Sequence, residues 1–152
     1  MVVEVGDEGP DFELKDQHNT AVRLSGFRGA KNVVLVFYPF AFTSTCTGEL
    51  CAIRDELPTF QNEDVQVLSV SVDSVPAHRV FADAEQLSYP MLSDFWPHGA
   101  VARQYGVFDE ERGAAVRGTF ILDRKGVVRW KVVNAIPDAR DLAEYEKVLA
   151  SL

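Results

Sequence analysis

Two near-continuous apolar runs, Asn32 to Tyr38 and Val65 to Val72, constrain the fold of this chain more than any other feature. Strands that are apolar on both faces belong in sheets covered on both sides, so these runs call for helices above and below them. The segment between them supplies one. Leu50, Ile53, Leu57 and Phe60 recur at spacings of three and four, which predicts a helix from near Thr45 toward Phe60, kinked or ended early by Pro58. The longest apolar run, Val33 to Tyr38, falls far below the ~18 residues of a membrane span and fits a buried strand.

On either side of this strand-helix-strand unit the patterns are shorter. Asp11 to Leu14 and Ala21 to Leu24 flank the polar turn Lys15-Asp16-Gln17-His18-Asn19 and predict an amino-terminal hairpin. A helix is expected over Ala77 to Glu85, a short strand at Met91 to Ser93 and a brief helix near Gly99 to Tyr105. Gly118 to Leu122 and Val127 to Val133 bracket the turn Asp123-Arg124-Lys125-Gly126, and Asp138 to Ser151 reads as a closing helix. A parallel crossover combined with antiparallel hairpins implies a three-layer α/β sandwich around a mixed sheet, the plan of thioredoxin-like folds. No linker, repeat or low-complexity tract divides residues 1–152, so a single domain is expected.

Composition narrows the partners. With 15 Lys+Arg against 23 Asp+Glu the net charge is -8, which disfavours nucleic acid and anionic membrane as partners. The amino terminus has neither a basic segment nor the apolar stretch of a signal peptide, so a cytoplasmic, reducing location is expected, where Cys46 and Cys51 persist as thiols. A chain of this size buries enough surface to need neither disulfide nor metal for its core. His18, His78 and His98 are scattered, and Cys-x₄-Cys without nearby partners is not a zinc ligand set.

In open α/β sheets the site lies beyond the carboxyl ends of the strands, which directs attention to the loop Pro39 to Thr45. Cys46 follows it in the first turn of the predicted helix. Unpaired amides and the positive dipole end there favour an anion, and only a thiolate is a good nucleophile. An inert buried cysteine is the competing reading.

The string Pro39-Phe40-Ala41-Phe42-Thr43-Ser44-Thr45-Cys46 matches the Pro-x-x-x-Thr/Ser-x-x-Cys signature, and on it the chain resembles the peroxiredoxins. The resemblance extends in register through Val5-Gly6-Asp7-Glu8-Gly9-Pro10-Asp11-Phe12, Leu92-Ser93-Asp94, and Arg117-Gly118-Thr119-Phe120 with Asp123. Leu92 to Val101 and Tyr105-Gly106-Val107-Phe108 are most similar to the alkyl hydroperoxide reductase E type. This resemblance implies a thiol peroxidase acting on hydrogen peroxide, organic hydroperoxides and possibly peroxynitrite, without metal, flavin or other cofactor. It implies Cys46 as the peroxidatic nucleophile, Thr43 as a hydroxyl donor, Arg117 as the guanidinium, Pro39 as a shield of the pocket and Glu49 as an orienting partner for the arginine. An acid in the first helical turn is also favoured by the dipole alone, so Glu49 keeps both readings. Tyr38, Phe42 and Trp96 are candidates for an apolar pocket mouth, with core or interface as the other reading. Relatives commonly form dimers or larger oligomers, for which Phe42, Trp96 and Phe108 are suitable if exposed.

Cys51 departs from the alkyl hydroperoxide reductase E pattern. Cys-x₄-Cys resembles the bacterioferritin comigratory protein type, which implies that Cys51 resolves the sulfenic acid as an intramolecular disulfide. In an intact helix Cα atoms five residues apart are roughly 8.6 Å apart, whereas a disulfide wants less than ~7 Å, so the first turns must unwind. Thr45, Thr47 and Gly48 are weak helix formers, which eases that step. Three alternatives stay open: a one-cysteine peroxidase reduced by a thioredoxin-, glutaredoxin- or mycoredoxin-like protein or a low-molecular-weight thiol, a Cys51 with no redox part, and a peroxide sensor. Thr43 stands where thioredoxins carry the first cysteine of Cys-x-x-Cys, which disfavours dithiol exchange.

Overall fold

The structure, a computed structural model, describes residues 3–136 and 140–152. In chain order its elements are β1 (Glu13–Lys15), β2 (Ala21–Arg23), a 3₁₀ turn (Leu24–Phe27), β3 (Asn32–Phe37), α1 (Ser44–Asp55) and α2 (Leu57–Phe60). There follow β4 (Val65–Ser71), α3 (Val75–Glu85), β5 (Met91–Ser93), α4 (Ala100–Gln104), β6 (Phe108–Asp109), β7 (Ala114–Ala115), β8 (Arg117–Leu122), β9 (Val128–Asn134) and α5 (Leu142–Ala150).

A seven-stranded sheet runs β2-β1-β5-β4-β3-β8-β9. Its central strands β3, β4 and β5 are parallel, while the flanking pairs are antiparallel. All residues of β3 and β4 are buried, as their largely apolar character requires, and the polar Asn32, Gln66, Ser69 and Ser71 are buried with them. Side chains alternate across the sheet. Val33, Leu35 and Phe37 enter one core with Val101, Tyr105 and Phe120, and Val34, Val36 and Tyr38 enter the other with Leu50, Ile53, Phe81 and Tyr145. Helices α1, α3 and α5 therefore cover one face, and α4 with Phe12 and Leu24 covers the other. This is the expected three-layer, thioredoxin-like sandwich with an amino-terminal hairpin.

The helix predicted from near Thr45 is interrupted by Pro58, as expected: a proline four residues past Arg54 lacks an N–H to donate to its carbonyl and collides with it, so the chain breaks at Glu56 and restarts with Pro58 in the first turn of α2. Several other boundaries differ from expectation. Strand β1 starts at Glu13, since Asp11 turns its carboxylate to the Ser25 N–H at 2.8 Å. Leu24 opens the 3₁₀ turn instead of extending β2, and β3 ends one residue before Tyr38. Helix α3 begins earlier than Ala77, with the Ser74 hydroxyl accepting the Ala77 N–H. The expected start of the last helix, Asp138, lies outside the described residues; α5 begins at Leu142, capped by the Asp141 carboxylate on the Ala143 N–H at 3.1 Å. The β6–β7 hairpin is too short to leave a periodic signal. In the β8–β9 turn Asp123 accepts from the Lys125 and Val127 N–H groups, and Gly126 takes φ +82, where a Cβ would stand 2.7 Å from Arg28 Nε.

Candidate active site

The site assembles where three parts of the chain reach one edge of the sheet. β3 delivers Tyr38 to Thr43, and the Thr43 carbonyl accepts the Thr47 N–H at 2.9 Å, which starts α1 and sets Cys46 in its first turn. β8 is antiparallel to β3 with Thr119 opposite Val36, so Arg117, two residues earlier, arrives beside the end of β3. Asn134 of β9 pairs with Arg117, which returns the following segment to the same edge.

Arg117 is held from several directions. Its Nε donates to the Ile136 carbonyl, and its Nη1 donates to the Glu49 carboxylate and to Cys46 Sγ, the latter at 3.3 Å. Glu49 lies on α1 one position short of a full turn after Cys46, so both face the arginine. A second guanidinium completes the cluster. Arg140 Nη1 meets Glu49 Oε1 at 2.8 Å, its main-chain N–H meets Oε2 at 2.7 Å, and its Nε donates to Thr119 Oγ1 at 3.0 Å. The Thr119 hydroxyl pairs in turn with the Tyr145 hydroxyl of α5 at 2.8 Å. Cys46, Glu49, Arg117 and Thr119 are all buried. Among the described residues two guanidiniums share this one carboxylate, which leaves one positive charge there without a counter-ion, and the sulfur is beside it. Low local dielectric makes that imbalance felt strongly.

A second buried network holds the loop ahead of Cys46. The Ala41 N–H donates to Asp73 Oδ2 at 2.9 Å, and the same oxygen accepts the Ser71 hydroxyl at 2.5 Å. Ser71 Oγ lies 2.7 Å from His78 Nε2, which is also 3.0 Å from the Tyr38 hydroxyl. Burial alone would raise the Asp73 carboxyl, but the contacts with His78, Ser71 and the Ala41 amide outweigh it and hold the group below the ordinary carboxylate value. Burial pushes the Tyr38 phenol well up, so it stays a neutral hydrogen-bonding group.

The structure brings Cys46, Glu49 and Arg117 together and spreads the other predicted residues around them. Pro39 is buried at the end of β3. Thr43 is exposed, and its hydroxyl donates to the Phe40 carbonyl at 3.0 Å, away from the sulfur. Tyr38 is not at a pocket mouth: it is fully buried, because it continues the alternation of Val34 and Val36 into the core beneath α1. Phe42 is exposed, in a left-handed conformation at φ 69, with its ring 5.0 Å from that of Phe81. Trp96 is 80% exposed beyond β5, on the same edge of the sheet because β3 and β5 are both parallel to β4. Phe108 is half-buried, with the Arg103 guanidinium 4.0 Å above its ring. Cys51 points to α3, where its thiol donates to Glu85 Oε2 at 3.5 Å.

The sulfur itself has no exposed surface, against the expectation of a reachable thiol. A hollow of about 410 Å³ lies on the outer side of α1 along Ser44, Thr45, Gly48, Glu49 and Arg140, and neither Cys46 nor Arg117 lines it. Two larger hollows of about 510 and 500 Å³ lie at the opposite end of the sheet around Asn32 and Arg124. Arg140 and the Asp73 network were not anticipated from sequence. Asp73 carried one legible signal, its place just past the carboxyl end of a central strand; Arg140 carried none.

A thioredoxin-like sandwich with a cysteine in the first turn of the helix after a central strand, faced by an arginine from the neighbouring antiparallel strand, is the architecture of a thiol-dependent peroxidase. The chain belongs to the AhpC/TSA family, whose model matches residues 5–131, and is a peroxiredoxin and hence a peroxidase. It is 48% identical over 151 residues to "Alkyl hydroperoxide reductase E" of Mycobacterium tuberculosis, covering 99% of each chain. Among solved structures it is similar to AhpC of Enterococcus faecalis (TM-score 0.88, 31% identity, covering 99% of this chain and 92% of that one). It is also similar to the peroxidoxin BcpB of M. tuberculosis (TM-score 0.84, 36% identity, covering 98% and 96%).

Proposed function

We propose that this peroxiredoxin reduces hydrogen peroxide and organic hydroperoxides, and peroxynitrite by the same chemistry, through Cys46. The observation that carries the reading is the Arg117 Nη1 at 3.3 Å from Cys46 Sγ, inside a cluster whose described residues set two guanidiniums against one carboxylate. The sulfur, as thiolate, attacks one peroxide oxygen; the O–O bond breaks, the sulfur becomes sulfenic acid, and the departing group leaves as water from hydrogen peroxide, as alcohol from an organic hydroperoxide or as nitrite from peroxynitrite. Arg117 stabilises both the sulfur anion and the charge that develops on the departing oxygen. Thr43 reaches the reacting atoms by exchanging its bond to the Phe40 carbonyl, Pro39 withholds a competing N–H from the pocket, and Glu49 and Arg140 fix the Arg117 guanidinium. Since Cys46 is buried, peroxide enters when the Phe40–Thr43 loop ahead of α1 moves aside.

Cys51 resolves the sulfenic acid. Its sulfur attacks Cys46 Sγ, the S–O bond breaks, and a disulfide and one water result. Helical geometry holds the two Cα atoms roughly 8.6 Å apart, so residues 44–49 must leave the helix. Support comes from the weakly secured start of α1: the Thr43 side chain makes no capping bond, and Gly48 is a poor helix former beside open space where a Cβ would stand. Opposing it, Glu49 is anchored by both arginines, and the Leu50 carbonyl accepts the Tyr89 hydroxyl at 2.7 Å. The turn of Cys51 toward Glu85 favours a second reading, reduction by a redoxin or small thiol. Unbridged thiols suit a reducing cytoplasm. Mass spectrometry after one equivalent of peroxide tests the scheme: loss of two hydrogens marks the disulfide, and a retained oxygen on Cys46 marks an external resolver.

A further inference from the structure

We propose that Glu85 determines which thiol reduces oxidised Cys46, by holding Cys51 in its protonated form while α1 and α3 are packed together. The inference rests on the reading of Cys46 as the oxidised cysteine and Cys51 as its internal resolver. Glu85 is the last residue of α3, and its Oε2 takes the Cys51 S–H at 3.5 Å. The neighbouring guanidinium is engaged elsewhere: Arg54 Nη1 donates to the Glu85 main-chain carbonyl at 2.6 Å, and Nε pairs with Asp55 at 3.0 Å. Among the described residues the Glu85 carboxylate makes no ion pair, so its full charge faces the thiol.

The groups around Cys51 are Arg54 and Asp55 on α1, Glu85 on α3, and the Tyr89 hydroxyl beyond α3. Two acids thus oppose one arginine already paired. Burial and the bond to Glu85 push the Cys51 thiol above its ordinary range, with Arg54 acting the other way. A protonated sulfur is a poor nucleophile. Near neutral pH the Cys46 sulfenic acid therefore persists, and an external thiol RSH reacts with it first, giving Cys46–S–S–R and water. As pH rises, Cys51 ionises, its thiolate attacks Cys46 Sγ, and the S–O bond breaks to give the internal disulfide and hydroxide, which takes a proton from solvent to become water. Glu85 acts through Cys51 and is a positioning residue in this scheme.

Glu85→Gln keeps the size and hydrogen-bonding capacity of the side chain and removes its charge. Two measurements on the full chain test the proposal. In a Cys46→Ser background, the pH dependence of Cys51 alkylation by iodoacetamide should shift down by about half a unit or more in Glu85→Gln, an about threefold gain in thiolate. With both cysteines present, disulfide formation after one equivalent of hydrogen peroxide at neutral pH should be about threefold faster or more. An unchanged alkylation profile, or slower disulfide formation in Glu85→Gln, overturns the proposal while leaving Cys51 as resolver. Absence of any disulfide in both proteins overturns the resolver reading, and the proposal with it.

Discussion

At the scale of single residues, the account turns on what faces Cys46. A lowered thiol pKa supplies little: moving a thiol from ~8.5 to ~6 raises the thiolate fraction about thirtyfold, roughly 2 kcal/mol, of which lower basicity removes part. Enzymatic accelerations of ~10⁶ require at least ~8 kcal/mol, so charge stabilisation and alignment must supply most of it. Arg117→Ala should slow peroxide oxidation of Cys46 by about 100-fold or more, the usual cost of removing such a donor. Thr43→Val should slow it by about tenfold, if an uncharged hydroxyl donor contributes one hydrogen bond of ordinary strength. Stopped-flow rates measured beside thiol titrations check both, and changes no larger than the shift in thiolate fraction would contradict them. Glu49→Gln removes the carboxylate that the two buried guanidiniums share and should cost about 3 kcal/mol, read as a lowered urea midpoint. Cys46, Arg117 and Glu49 were legible as residues because each sits at a fixed offset within a motif. Arg140 was not: it is one of 15 Lys+Arg, and only the return of β9 to the end of β3 brings it to Glu49.

At the scale of elements, α1 has to be a good helix at its carboxyl half and a weak one at its start. A Cβ at Gly48 would meet nothing within 4 Å, so Gly48→Ala strengthens the helix by about 0.5–1 kcal/mol without a clash. Disulfide formation should then slow about two- to fivefold, while Cys46 oxidation keeps its rate; quenched-flow alkylation with mass spectrometry separates the two steps. The loop before α1 has its own anchor in Asp73. Because the fold holds this carboxyl below its ordinary value, its contribution to stability is complete above about pH 4 and disappears as pH falls toward the lower value in the folded protein. Asp73→Asn should therefore lose less stability than the parent as pH falls below about 4 in urea titrations. Periodicity located β3, β4, β5, β8, β9 and α3 to within a few residues, since each buries a regular face. Pro58 announced the break at Glu56 that periodicity alone runs through, whereas the β6–β7 hairpin was missed because a two-residue strand has no period.

At the scale of the whole molecule, the parallel strands aim the carboxyl ends of β3, β4 and β5 at one edge, and the site and the exposed aromatics share it. Phe40, Phe42, Phe95 and Trp96 are all exposed there. We propose that a second copy of the chain covers them. Sedimentation should then show a dimer, and Trp96→Ser with Phe42→Ser should shift it toward monomer; a monomer at every concentration in the parent would contradict this. Fold class was legible from the order of patterns alone, but the burial of the sulfur was not, since it depends on how closely α1 seats on the sheet. The most direct test of the account is the rate of reaction with hydrogen peroxide in the parent, Cys46→Ser and Cys51→Ser proteins. The account predicts fast oxidation in the parent and in Cys51→Ser, and none above that of a free thiol in Cys46→Ser. Fast peroxide consumption that survives Cys46→Ser, or a parent no faster than free cysteine, would contradict it.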